Sequence, residues 1–175
     1  MKAAGGYRTV SAMVPAAPPL SPIYRGVLRA PRLLVYLAAA LSLLAGYVHV
    51  AYAESHFQEW WGYGAFFVAA GNLQALFAAL IVWRPRAWHP LAGIAGNLAI
   101  VVVYVLSRTS GIPLGPHARV VEDAGAIDWA TTAAQVALIG ALIAMLDGRG
   151  RRWIINGLML LGVLAWVLRL SGQLQ

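Results

Sequence analysis

Between residues 33 and 170 the chain alternates long apolar runs with short polar interruptions. The runs cover 33–53, 62–83, 90–107, 127–146 and 153–170, and no charged residue lies near the middle of any of them. Each is close to the roughly 20 residues that a helix rising about 1.5 Å per residue needs to cross about 30 Å of hydrocarbon. A backbone inside lipid must satisfy its own N–H and C=O groups, and a helix does so within one segment. The pattern therefore predicts an all-α integral membrane bundle of five transmembrane helices over residues 32–175. Residues 1–31 read differently. Pro15, Pro18, Pro19, Pro22 and Pro31 stand among Ala, Gly and Ser without periodicity, which predicts a disordered basic tail.

Composition agrees with this picture. The 175 residues are 61% hydrophobic and only 11% charged, with mean hydropathy +0.70, too few charges to coat a water-soluble surface. A formal charge of +7 would by itself suggest a polyanionic partner, but the distribution of the charge gives another explanation. Lys2, Arg8, Arg25, Arg29, Arg32, Arg84, Arg86, Arg149, Arg151 and Arg152 fall on one side of five alternating spans. Only Arg108, Arg119 and Arg169 fall on the other. By the positive-inside rule the tail and N-terminus are cytoplasmic and the C-terminus is outside, in the cell membrane. Trp83, Trp88 and Trp153 mark the inner interface, and Trp60, Trp61 and Trp129 the outer one. The expected partners are the lipid bilayer and other membrane subunits or a second copy of the chain; nucleic acid is not among them. There is no cysteine, so thiolate catalysis, disulfides and Cys-based metal centres are excluded.

One competing pattern concerns the first span. Ala51-Tyr52-Ala53 before Glu54 resembles a signal-peptidase site behind an apolar core. Cleavage there would remove His49 and leave four spans, although a charged leader of 32 residues is long for a signal peptide.

Inside the spans the polar residues are few and neutral. Ala70-Gly71-Asn72-Leu73 recurs as Ala95-Gly96-Asn97-Leu98, on helices expected to run in opposite directions. Gln74 and Asn97 then lie near mid-membrane, where a hydrogen bond between them is expected, worth roughly 0.6–2 kcal/mol. Ala92 with Gly96, and Gly140 with Ala144, form small-xxx-small faces of the kind that admit close helix approach. No ionisable group sits at the midplane to carry a proton path.

Chemistry gathers at the outer side. Glu54, Glu59, Glu122, Asp123 and Asp128 lie there with His49, His56 and His117. His89 stands alone at the inner interface, where it reads as a cap or a headgroup contact. If the first helix continues past the membrane face, His49, Tyr52, His56 and Glu59 share a stripe about 80° wide, although His49 lies about 10.5 Å below His56. The loop after span three carries Gly111, Pro113, Gly115 and Pro116, which favour a fixed turn. Convergence of His49, His56, Glu59, His117 and Asp128 would make a nitrogen and oxygen site for a divalent metal such as zinc, copper, manganese or iron. In the competing account, Arg108 and Arg119 pair with Glu54, Glu59 or Asp128 and the cluster is a structural polar cap. No zinc-protease, nucleophile-elbow or phosphate-loop motif is present.

The aromatic block Trp60-Trp61-Gly62-Tyr63-Gly64-Ala65-Phe66-Phe67 and the loop from Ser107 to Pro116 resemble segments of small bacterial multi-pass membrane proteins of unknown function. The resemblance covers residues 47–146 and implies no activity. The expected function is a non-enzymatic membrane protein binding a metal cation or small ligand at its outer mouth. The alternatives are a metal-dependent membrane enzyme acting on a lipid or quinone, with Glu59 or Asp128 as base, and an oligomeric transporter or channel.

Overall fold

The structure, a computed structural model, describes residues 30–171; the predicted tail up to residue 29 lies outside the described residues. Five helices follow in order: α1 (Arg32–Glu59), α2 (Trp61–Trp83), α3 (His89–Thr109), α4 (Ala126–Ala144) and α5 (Gly148–Leu170), with no strand among the described residues. The first four are long and apolar enough to cross a membrane. The helix starts match their chemistry. Pro31 precedes α1, Pro90 occupies the first turn of α3, and the Asp147 carboxylate accepts from the Gly150 N–H at 2.8 Å to cap α5. Each removes or satisfies an N–H that a helix start leaves without an internal partner.

Trp60 alone separates α1 from α2; its extended backbone (φ −167°, ψ 138°) reverses the chain into a tight antiparallel hairpin. This pair is the most extensively packed in the bundle, α4 packs on both α1 and α3, and α5 rests lightly on α4. The apolar core, built from Ala38, Ala78, Ile81, Ile94, Leu138 and Leu142, lies toward the end where α1 begins and α2 finishes. From Trp153 onward no described side chain of α5 is buried, and Met159, Leu160, Val163, Leu164 and Trp166 are all exposed.

α1 is continuous to Glu59, so the Ala51-Tyr52-Ala53 sequence lies within a helix and Ala53 is buried. The small-residue faces work differently from expectation. A Cβ at Gly96 or at Gly140 would meet nothing within 4 Å, so neither glycine serves close helix approach within this chain. Close approach happens instead at Gly46 and Gly71, which face one another across α1 and α2. Between α2 and α3 the packing is sparse, although they are joined by only a short turn. α2 turns its small face, with Gly71 and Ala78, to α1 and the core. The buried Gly93 of α3 takes the Phe77 ring tip and the Leu142 side chain.

Candidate functional site

The end of the bundle where α3 finishes and α4 begins forms a braced cap. The Arg108 guanidinium, at the end of α3, pairs with the Glu122 carboxylate and reaches the Asp128 carboxylate at 3.1 Å. Asp128 also accepts from the Gly125 N–H at 2.8 Å, which starts α4. The Glu122 N–H donates to the Ser107 carbonyl at 3.1 Å, so the loop is tied to α3 at both ends of the ion pair. Tyr63 donates its hydroxyl to the Leu114 carbonyl at 2.7 Å, pinning the middle of the loop to α2. Gly115, at φ 82°, lies under the Tyr63 and Trp60 rings, where an added Cβ would come within 2.8 Å of the Tyr63 hydroxyl. Glycine alone combines that backbone conformation with that approach. The expected fixed turn is therefore present, and Arg108–Asp128 is one of the anticipated pairs. Glu122 is a partner that its position in a loop did not reveal, and Arg119 makes no ion pair among the described residues.

The five candidate ligands are distributed around this cap. His49 is buried and its Nδ1–H donates to the Ala45 carbonyl at 2.7 Å. His56 bonds the Tyr52 carbonyl through Nδ1 at 2.8 Å. The Phe67 ring of α2 stacks on His56 at 3.6 Å between centroids and lies 5.3 Å from His49, so an aromatic ring packs against both imidazoles. Glu59 is exposed at the end of α1, His117 is exposed in the loop, and Asp128 is committed to Arg108 and Gly125. Among the described residues no group of three or more His, Asp or Glu side chains is placed to hold a metal ion.

Where α2 and α3 diverge, a groove of about 460 Å³ opens along the bundle. Its rim is exposed and apolar, with Leu73, Leu76, Ala92, Gly96 and Ala99. Its buried floor carries four polar residues, Ser42, Gln74, Asn97 and His89. The expected amide pair is present: Gln74 donates from Nε2 to Asn97 Oδ1 at 3.0 Å, and Asn97 donates from Nδ2 to the Gly93 carbonyl at 2.9 Å. Ser42 donates to the Gln74 carbonyl at 2.8 Å, which holds α1 to the back of the same site. Gln74 Oε1 is buried and accepts no hydrogen bond among the described residues.

The groove runs from Trp88 and His89 to Ile100 on α3, about 18 Å at the helical rise and thus close to one leaflet's share of the hydrocarbon. A mostly apolar cleft with a few convergent polar groups is the usual form of a small-molecule site. The sequence marks Gln74, Asn97, Ala92 and Gly96 as helix-packing residues first, with an inward-facing amide lining a ligand path as the lesser alternative. The signal for the groove was the pair of small residues on α3 with no bulky neighbour to cover them. Comparison with known proteins found no matching family model, no match among curated proteins and no match among solved structures.

Proposed function

We propose that the chain is a non-enzymatic protein of the cell membrane with five spans, its N-terminus cytoplasmic and its C-terminus outside. Its function is to bind a small amphiphile of the bilayer in the groove between α2 and α3. The single observation that carries this reading is the Gln74–Asn97 amide pair on the floor of an otherwise apolar cleft. Two helices joined by a hydrogen bond between side-chain amides need no cleft beside it, and open volume forfeits packing contacts that a close-packed interior would make. An acyl or isoprenoid chain lying along the apolar rim recovers those contacts.

Ligand binding is thereby assigned to the membrane interior rather than the outer mouth. What supports the shift is that Arg108 already pairs with Glu122 and Asp128 there. The fifth span rests on the apolar, exposed surface of α5.

Native mass spectrometry of the purified chain, offered a panel of bilayer amphiphiles, tests the reading. One class is expected to be retained at one copy per chain and lost in Gly96→Leu, because the leucine extends into open space and fills the cleft. No retention of any amphiphile, or equal retention by the filled variant, would reject it.

A further inference from the structure

We infer that the groove takes one chain of an anionic phospholipid from the inner leaflet, with the lipid phosphate held by His89 and Arg86. The inference rests on the groove being a lipid site and adds which lipid occupies it and which way round it sits.

His89 opens α3. It is 2% exposed and lines the inner end of the groove, beside the exposed Trp88 at a centroid distance of 4.4 Å. The Arg86 backbone N–H reaches His89 Nδ1 at 3.1 Å. A backbone N–H only donates, so Nδ1 is an acceptor and the neutral ring carries its proton on Nε2. That Nε2–H has no hydrogen-bond partner among the described residues, since the bond from the Arg86 N–H is the only hydrogen bond the ring makes there. A donor left free at the mouth of an apolar cleft can be met by an acceptor on the ligand.

The surroundings select the acceptor's charge. Arg86 is close enough for its charge to act on the His89 ring, and Arg84 is the other exposed cation of the same short turn. No acidic residue lies between Glu59 and Glu122 in the chain, so nothing within α2, α3 or their turn competes for these cations. Arginines at the cytoplasmic face attract anionic headgroups. A phosphate there places its glycerol esters at Trp88 and sends one chain along Phe77, Leu73 and Gly96 toward the Gln74–Asn97 pair. The groove's length, close to one leaflet, matches a single acyl chain reaching the midplane.

The test uses the full chain in detergent and native mass spectrometry with four probes: dioleoyl phosphatidylglycerol, dioleoyl phosphatidylcholine, decylubiquinone and glycerol phosphate. Phosphatidylglycerol is expected to bind at one copy and in preference to phosphatidylcholine. His89→Phe, which keeps an aromatic ring but no donor, is expected to weaken it about tenfold, as for one lost charged hydrogen bond. His89→Gln, which restores a donor, recovers part of the loss. If the phenylalanine variant fails to fold, Arg86→Gln provides the second arm. It keeps the backbone N–H that bonds His89 and is expected to erase the preference for phosphatidylglycerol.

Equal binding of the two phospholipids, stronger binding of decylubiquinone, or no effect of both His89→Phe and Arg86→Gln would overturn the headgroup assignment while leaving the groove as an amphiphile site. Binding of glycerol phosphate as tight as that of the lipid would identify a soluble phosphate as the ligand and also overturn it. If none of the four probes is retained, the groove reading itself fails.

Discussion

Gly46 of α1 and Gly71 of α2 bring two helix backbones into contact. A Cβ added to Gly46 would lie 2.9 Å from the Gly71 carbonyl oxygen, and one added to Gly71 would lie 2.8 Å from the Gly46 carbonyl oxygen. Both obstacles are backbone and cannot rotate away. Where lipid removes the hydrophobic drive between helices, such close packing is a main source of association.

Gly46→Ala and Gly71→Ala are therefore expected to force α1 and α2 apart and to destabilise the bundle by about 1–3 kcal/mol each, as overpacked interiors do. Gly96→Ala, whose Cβ meets nothing within 4 Å, should leave stability unchanged. Denaturant titration in mixed micelles measures all three. A Gly96 variant as damaged as the Gly46 variant would contradict the assignment of the tight crossing.

Gln74 and Asn97 permit a double-mutant cycle. Gln74→Leu removes one bond and leaves Asn97 Oδ1 buried without its donor, for an expected loss of about 0.6–2 kcal/mol. Gln74→Leu with Asn97→Leu should cost less than the two single changes added together, since neither partner is then stranded. Strict additivity in the cycle would show that the two amides do not interact.

The loop between α3 and α4 depends on Arg108. Its partners are substantially exposed, Glu122 at 49% and Asp128 at 38%, so water screens the pairs and their contribution is modest, about 1 kcal/mol or less. Arg108→Met is accordingly expected to leave the bundle folded but to speed amide hydrogen exchange between residues 111 and 125. Arg119→Met should change nothing. In wild type, raising the salt concentration should move exchange in that loop in the same direction as Arg108→Met, because screening weakens exposed ion pairs.

The chain has no cysteine, so single substitutions report topology without background. With the tail inside, His117→Cys is expected to react with an impermeant maleimide added to intact cells, and Arg149→Cys only after permeabilisation. A reporter fused after residue 175 should read outside if α5 crosses, and inside if it does not. Labelling of position 149 from outside would invert the orientation.

The apolar runs alone determined the four helices long and apolar enough to cross a membrane and the all-helical class, because helix formation in lipid depends on local backbone satisfaction. Gln74 and Asn97 were also legible as partners, since two short amides at similar depth on adjacent antiparallel helices have few others to meet. Tertiary packing decided the rest. Nothing in the order of residues says that Gly46 rather than Gly96 accepts a neighbouring backbone, or that Phe67 packs against His49 and His56. The groove likewise exists only because α2 packs against α1 and α3 against α4, leaving α2 and α3 apart. Contacts of that kind depend on which helix faces meet, and helical periodicity gives a residue's face without naming the neighbour across from it.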